Sequence, residues 1–151
     1  MDSSCQPYVL YIVVMTDALS VASTTLLVTG SADNTMKLWR VQDGTCLFTW
    51  NFPTAVKRVE FSEDGNKLLC VTEQRMGHIG TVNVYAIAED GEEQSTDPMI
   101  AIPTQESKAT VAGWSFLDKY IIMGHENGMV SQWNWKVSKL LFGCGSMLTV
   151  E

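Results

Sequence analysis

Apolar positions come in short runs rich in Val, Ile, Leu, Thr and aromatic residues, each cut by a turn of Gly, Asp, Asn or Ser. That pattern predicts strands at 26–29, 36–39, 46–50, 56–61, 68–72, 81–87, 99–102, 110–116, 120–123 and 130–133, with a further one at 139–142. No window holds a helical period over about 11 residues, so an all-β chain is expected. The first apolar run, YVLYIVVM from Tyr8 to Met15, is read as a buried strand. A secretory leader needs a basic stretch ahead of its apolar one, whereas Asp2 precedes this run and the first basic residue is Lys37.

Self-similarity chooses among sandwich, barrel and repeat array. LLVTGSAD, ending at Trp39, superposes on YIIMGHEN, ending at Trp133, with an offset of 94 residues, twice 47. A middle copy therefore ends near residue 86, and LLCVT from Leu68 to Thr72 does lead to Tyr85, through a longer loop at 73–80. One more strand precedes the second and third of these pairs, at 56–61 and 110–116, and a fourth follows each, at 46–50, 99–102 and 139–142. Four strands in about 46 residues is the unit of a propeller, because a lone four-stranded sheet is covered on neither face until neighbours stack on it. GSADNTMKLW, Gly30 to Trp39, resembles the WD40 consensus, and the second and third copies end in Tyr85-Ala86 and Trp133-Asn134. The expectation is an incomplete WD40 β-propeller of about three four-stranded blades, near 25–50, 56–102 and 109–142. A divergent segment 1–24 precedes the repeats at 25–137, and a divergent tail 138–151 follows them.

Composition narrows the function classes. The chain of 151 residues is 46% hydrophobic and 18% charged, too apolar for a solvating disordered tail, and no stretch nears about 18 uninterrupted apolar residues. Ten Lys and Arg against 17 Asp and Glu leave a net charge of −7, which disfavours nucleic acid held by phosphate neutralisation. Cys5, Cys46, Cys70 and Cys144 form no CxxC and signal neither a disulfide framework nor a zinc ribbon.

Candidate chemistry is sparse. His78 and His125 are the only histidines, and Met129 stands where HExxH needs its second histidine. Ser31, Ser62 and Ser115 lack a GxSxG context, and Gly124 to Gly128 lacks the lysine and helix of a phosphate loop. No catalytic, cofactor or metal residue is expected, and no enzyme. The acidic loop from Asp90 to Pro98 reads as a solvated surface, while Trp50, Trp114 and Trp135 read as blade contacts. The WD40 resemblance implies a hydrogen-bonded tetrad of a His before the first strand, a Ser or Thr on the second, a turn Asp and a Trp. Ser31, Asp33 and Trp39 match three of those places, and the histidine is missing. Tyr85, Asn127 and Trp133 hold the equivalent structural places in the other copies.

VTGSADNTMKLW (Val28 to Trp39), EQRMGHIGTVNVY (Glu73 to Tyr85) and IIMGHENG (Ile121 to Gly128), in this order, resemble subunit I of eukaryotic translation initiation factor three, above all its fungal forms. The MGxxG loop of the middle segment carries most of that resemblance. It implies a seven-bladed, non-catalytic cytoplasmic scaffold, held by subunits B and G, that supports mRNA and initiator tRNA recruitment to the small ribosomal subunit and scanning. The alternative is a WD40 substrate adaptor or signalling scaffold outside translation. No membrane and no sequence-specific nucleic-acid contact is implied, the small ribosomal subunit being reached indirectly, and no partner-binding residue carries over. Three blades where that family has seven point to a truncated or partial form. Its terminal blades should each bare a sheet face, and at about 25 cal/mol per Å2 over several hundred Å2, covering one is worth on the order of 10 kcal/mol. Marginal stability or association is therefore expected.

Overall fold

The computed structural model describes residues 11–15, 25–75, 77–88, 93–104, 107–136 and 139–144. These form three antiparallel sheets of four strands, each a simple meander. Blade one holds β1 (Tyr11–Met15), β2 (Leu26–Gly30), β3 (Thr35–Arg40) and β4 (Thr45–Asn51). In blade two, β5 (Val56–Phe61) and β6 (Lys67–Thr72) are followed by β7 (Thr81–Ala86) and β8 (Ile100–Pro103). Blade three comprises β9 (Ala109–Trp114), β10 (Ile121–His125), β11 (Val130–Asn134) and β12 (Lys139–Cys144), with a 3-10 turn at Phe116–Asp118. The first strands converge, β1 lying against β5 and β5 against β9, as the inner strands of a propeller do.

Blade two shows why the repeats stack. Successive strand residues point to opposite faces, so Leu68 and Cys70 of β6 enter one cluster and Leu69 and Val71 the other. The first cluster joins Leu26, Val28, Met36, Leu38 and Trp50 of blade one to Val56, Val59, Phe61 and Tyr85 of blade two. In the second, Val82, Val84 and Ile102 of blade two meet Ala112, Ile121 and Met123 of blade three. A sheet covered on both faces reads as a continuous apolar run, and KLLCVT is buried from Leu68 onward. Strand β2 is covered on one face and alternates between buried and half-buried.

The repeat's leading glycine serves this stacking. A Cβ on Gly30 would lie 2.5 Å from Val56 Cγ1 and 3.2 Å from Val59 Cγ1, so only a bare backbone fits beneath blade two.

Among the described residues, nothing covers the other face of blade three. Ile122 lies opposite Gln132, and Gly124 opposite both Val111 and Val130. Val111, Ile122 and Val130 therefore share one face, with exposures of 44%, 43% and 45%. Blade one presents Leu27, Thr29, Lys37 and Trp39, all half-buried, on its own outer face.

Three details depart from the sequence expectations. Residues 11–15, within the segment set apart as divergent, supply the inner strand of blade one, pairing Tyr11 with Gly30 through Met15 with Leu26. Strand β12 continues through Gly143 to Cys144, with a bulge at Gln132/Trp133 that absorbs an extra residue. The 110–116 strand stops at Trp114. Phe116 sits in the 3-10 turn, 83% exposed, because Ser115 turns the chain by accepting the Tyr120 N–H on its hydroxyl (2.9 Å).

Candidate interaction surfaces

One turn design recurs along the chain. An Asp or Asn side chain accepts the backbone N–H two residues on, and the residue between adopts positive φ. Asp33 Oδ1 takes the Thr35 N–H (2.9 Å) and hydroxyl (2.6 Å), with Asn34 at φ 70°. Asp43 takes the Thr45 N–H (2.9 Å) across Gly44, and Asp64 takes the Asn66 N–H (3.1 Å) across Gly65. Asn127 takes the Met129 N–H (3.0 Å) across Gly128. These are Asx turns, and each stabilises the ionised carboxylate where there is one. The Thr35 hydroxyl above all holds Asp33 below the ordinary carboxylate range. The Thr45 backbone N–H does the same for Asp43. At Asp64 partial burial opposes ionisation, yet the Lys67 ammonium and the Ser62 hydroxyl outweigh it.

Trp39 finds a different partner from the one its motif suggests. Its indole N–H donates to Thr29 Oγ1 (3.0 Å), whereas Ser31 Oγ accepts the Asp33 N–H (3.2 Å) within the turn. Parity along the strand accounts for this: Leu27 pairs with Trp39, so Thr29, two residues on, shares the indole's face, and Ser31 lies beyond the strand end. Asp33 is exposed and not joined to the tryptophan. In the third blade the comparable contact belongs to His125, whose Nε2 lies 2.8 Å from Ser131 Oγ and whose Nδ1 lies 3.0 Å from the Ser107 carbonyl. That histidine is a tie between strands. Trp133 packs, half-buried, at the edge of the second cluster.

Tyr85 is buried beside Trp50 and Phe52, with ring centroids at 5.4 Å and 6.4 Å. Burial pushes its phenol well above the ordinary range, with the neighbouring Cys70 and Asp97 adding to the effect, and burial alone raises the Cys70 thiol. Trp50 donates its N–H to the Ser95 carbonyl (2.8 Å), tying blade one to the loop before β8. Trp114 reaches the Glu60 carbonyl of blade two (3.4 Å), and Trp135 the Asp118 carbonyl (2.7 Å). All three indoles thus bond to backbone, Trp50 and Trp114 across blades and Trp135 within blade three. Within the acidic loop, residues 89–92 lie outside the described residues.

The middle loop replaces the Asx turn with hydroxyls. Thr72 Oγ1 accepts the Thr81 N–H (2.9 Å), Asn83 donates to Thr81 Oγ1 (3.0 Å), and Thr104 donates to the Gly80 carbonyl (2.7 Å). Arg75 and His78 exchange backbone hydrogen bonds across Gly77, at φ 85°. A Cβ on Gly80 would meet the Thr72 carbonyl at 3.0 Å and the Gln74 nitrogen at 3.1 Å, so both glycines of MGxxG are needed for the loop's closure. Met76 lies outside the described residues. Among those described, no three His, Cys, Asp or Glu residues gather to hold a metal ion, and no helix is long and apolar enough to cross a membrane.

Comparison with known proteins agrees with these features. The WD domain, G-beta repeat (WD40) family model matches residues 16–40. Subunit I of eukaryotic translation initiation factor 3 from Neurospora crassa is 59% identical over 121 residues, 80% of this chain and 35% of that protein. Its counterpart from Aspergillus oryzae is 58% identical over 120 residues, 79% of this chain and 36% of that one. Among solved structures, the β-propeller domain of Myceliophteria thermophila Cps50 (Swd1) superposes with a TM-score of 0.65 at 11% identity, over 78% of this chain and 37% of that one. That likeness concerns the fold alone. The chain thus spans about a third of the length of the curated relatives it matches, as three blades of a WD40-type propeller. Across four fifths of its residues the chain is thus a homologue, at 58–59% identity, of eukaryotic translation initiation factor 3 subunit I.

Proposed function

We propose that the chain acts as a non-catalytic scaffold element in translation initiation, presenting blade faces and turn rims to other subunits of initiation factor 3. The identity of 55–59% to subunit I proteins carries this reading. The geometry supports it, since the distinctive residues are spent on turns and blade contacts: Asp33 on Thr35, Trp39 on Thr29, His125 on Ser131. Subunits B and G are the partners the resemblance implies. Recruitment of mRNA and initiator tRNA would then be supported through protein contacts, in keeping with a net charge of −7, and the setting is the cytoplasm. Affinity capture of the tagged chain from lysate, followed by mass spectrometry, tests the reading. Recovery of initiation factor 3 subunits is expected; recovery of ubiquitin-ligase components without them would replace it with a substrate adaptor.

A further inference from the structure

Strand register puts the three blades on one frame. Leu27 lies opposite Trp39, Leu68 opposite Tyr85 and Ile121 opposite Trp133, so every blade carries the same two faces. The face turned toward the following blade holds Val28 and Met36 in blade one, Leu69 and Val82 in blade two, and Ile122 and Val130 in blade three. Where that blade is present the face is dry: Val28, Met36, Leu69 and Val82 are all 0% exposed, whereas Ile122 and Val130 are 43% and 45% exposed. On the face turned toward the preceding blade, Leu68 and Ile121 are fully buried, whereas their equivalent in blade one, Leu27, is half-buried beside Trp39.

The strand-end glycine is repeated as well. Gly124 lies opposite Val130 as Gly30 lies opposite Met36, and Gly30 is the backbone on which Val56 and Val59 of the next blade rest. Blade three therefore offers the surface that receives a following blade, and blade one the surface that receives a preceding one. These two faces belong to the same repeat interface that already joins blade one to blade two and blade two to blade three.

Area decides how a second copy can use them. A four-stranded face, with strands about 4.8 Å apart and about five residues long at about 3.3 Å each, covers roughly 300 Å2. One such contact between two copies buries roughly 600 Å2 in all, the size of a packing contact, whereas two together bury roughly 1,200 Å2, where specific interfaces begin. Both form at once when blade one of each copy meets blade three of the other about a two-fold axis. Twice the three blades of one copy makes six, within the range of about four to eight found in closed propellers. Pairing of two blade-three faces with each other would form only one contact and leave both first blades uncovered.

We propose that two copies of the chain close head to tail into a six-bladed ring, the outer face of blade one in each copy covering Ile122 and Val130 of the other. The pairing follows from the repeat frame and does not depend on the scaffold reading.

Sedimentation equilibrium and small-angle X-ray scattering of the full chain test it. A dimer is expected with a radius of gyration of about 19 Å, the value for a compact body of twice 151 residues. I122D and L27K, which place charges on the two mating faces, should each weaken the dimer about a hundredfold with the far-UV circular dichroism unchanged. Mixed together they should dimerise again, because one contact is then unaltered and the other sets opposite charges on its two faces. The proposal is overturned if the parent chain stays monomeric, if its mass grows past the dimer, or if the dimer is elongated, with a radius of gyration above about 25 Å. It is also overturned if L27K folds and dimerises like the parent, which would assign the contact to blade three alone. Scattering on the parent chain separates ring from open pairing even where a variant fails to fold.

Discussion

Leu117 spends conformational energy where glycine would not. A non-glycine residue at φ 59° is strained, so L117G should raise the melting temperature, by an equivalent of up to about 1 kcal/mol. Thermal denaturation followed by circular dichroism reads the gain; a lower melting temperature would show that the leucine's contacts outweigh the strain. The Asx turns give a pH signature. Asp33, Asp43 and Asp64 have carboxyls held below the ordinary range in the folded chain, so their stabilisation is fully present above about pH 4 and is lost as pH falls through the depressed values. Urea midpoints measured from about pH 6 down to about pH 3 should fall only at the acid end, and D33N together with D64N should flatten that fall. The turn chemistry was legible in the sequence, since Asp-Asn, Asp-Gly and Asn-Gly name their own geometry. The partner of Trp39 was not, because choosing Thr29 over Ser31 depends on where the strand ends.

At the scale of the strand, register decides what a residue can be. Gly30 lies under Val56 and Val59, and G30A should cost about 1–3 kcal/mol through the clash with Val56 Cγ1. V56A in the same chain should recover part of that loss, which a double-mutant cycle by urea denaturation would measure. Strand existence was predictable from short apolar runs. Two boundaries were not: β9 ends at Trp114 because the Ser115 hydroxyl and the 3-10 turn redirect the chain, and β12 extends to Cys144 because a bulge accommodates the extra residue. Side-chain and backbone bonding across a turn is invisible to a pattern of apolar positions.

Over the whole molecule, blade two is covered on both sides and blade three on one. Val111, Ile122 and Val130 remain half-exposed on a common face, an arrangement that favours association. Sedimentation of the full chain should show mass increasing with concentration. The I122S/V130S pair should return it to a monomer with folding stability changed by less than about 1 kcal/mol, since neither side chain is in the core. A concentration-independent monomer in the parent chain would show that this face needs no cover.

The residue pattern by itself determined the strand-rich class, the repeat of about 47 residues and the turn residues, because these depend on neighbours a few positions apart or on self-similarity along the chain. The resemblance of VTGSADNTMKLW and the MGxxG loop to a known family was equally present in the linear text. Tertiary structure alone decided that residues 11–15 complete blade one, that Thr29 receives the Trp39 N–H, and that Leu117 and Trp135 gather with three lysines and three carboxylates on one rim. Those outcomes depend on which strand faces meet and on bonds spanning tens of residues, such as Asp118 to Glu63, and no local pattern encodes which of several similar blades a side chain will touch.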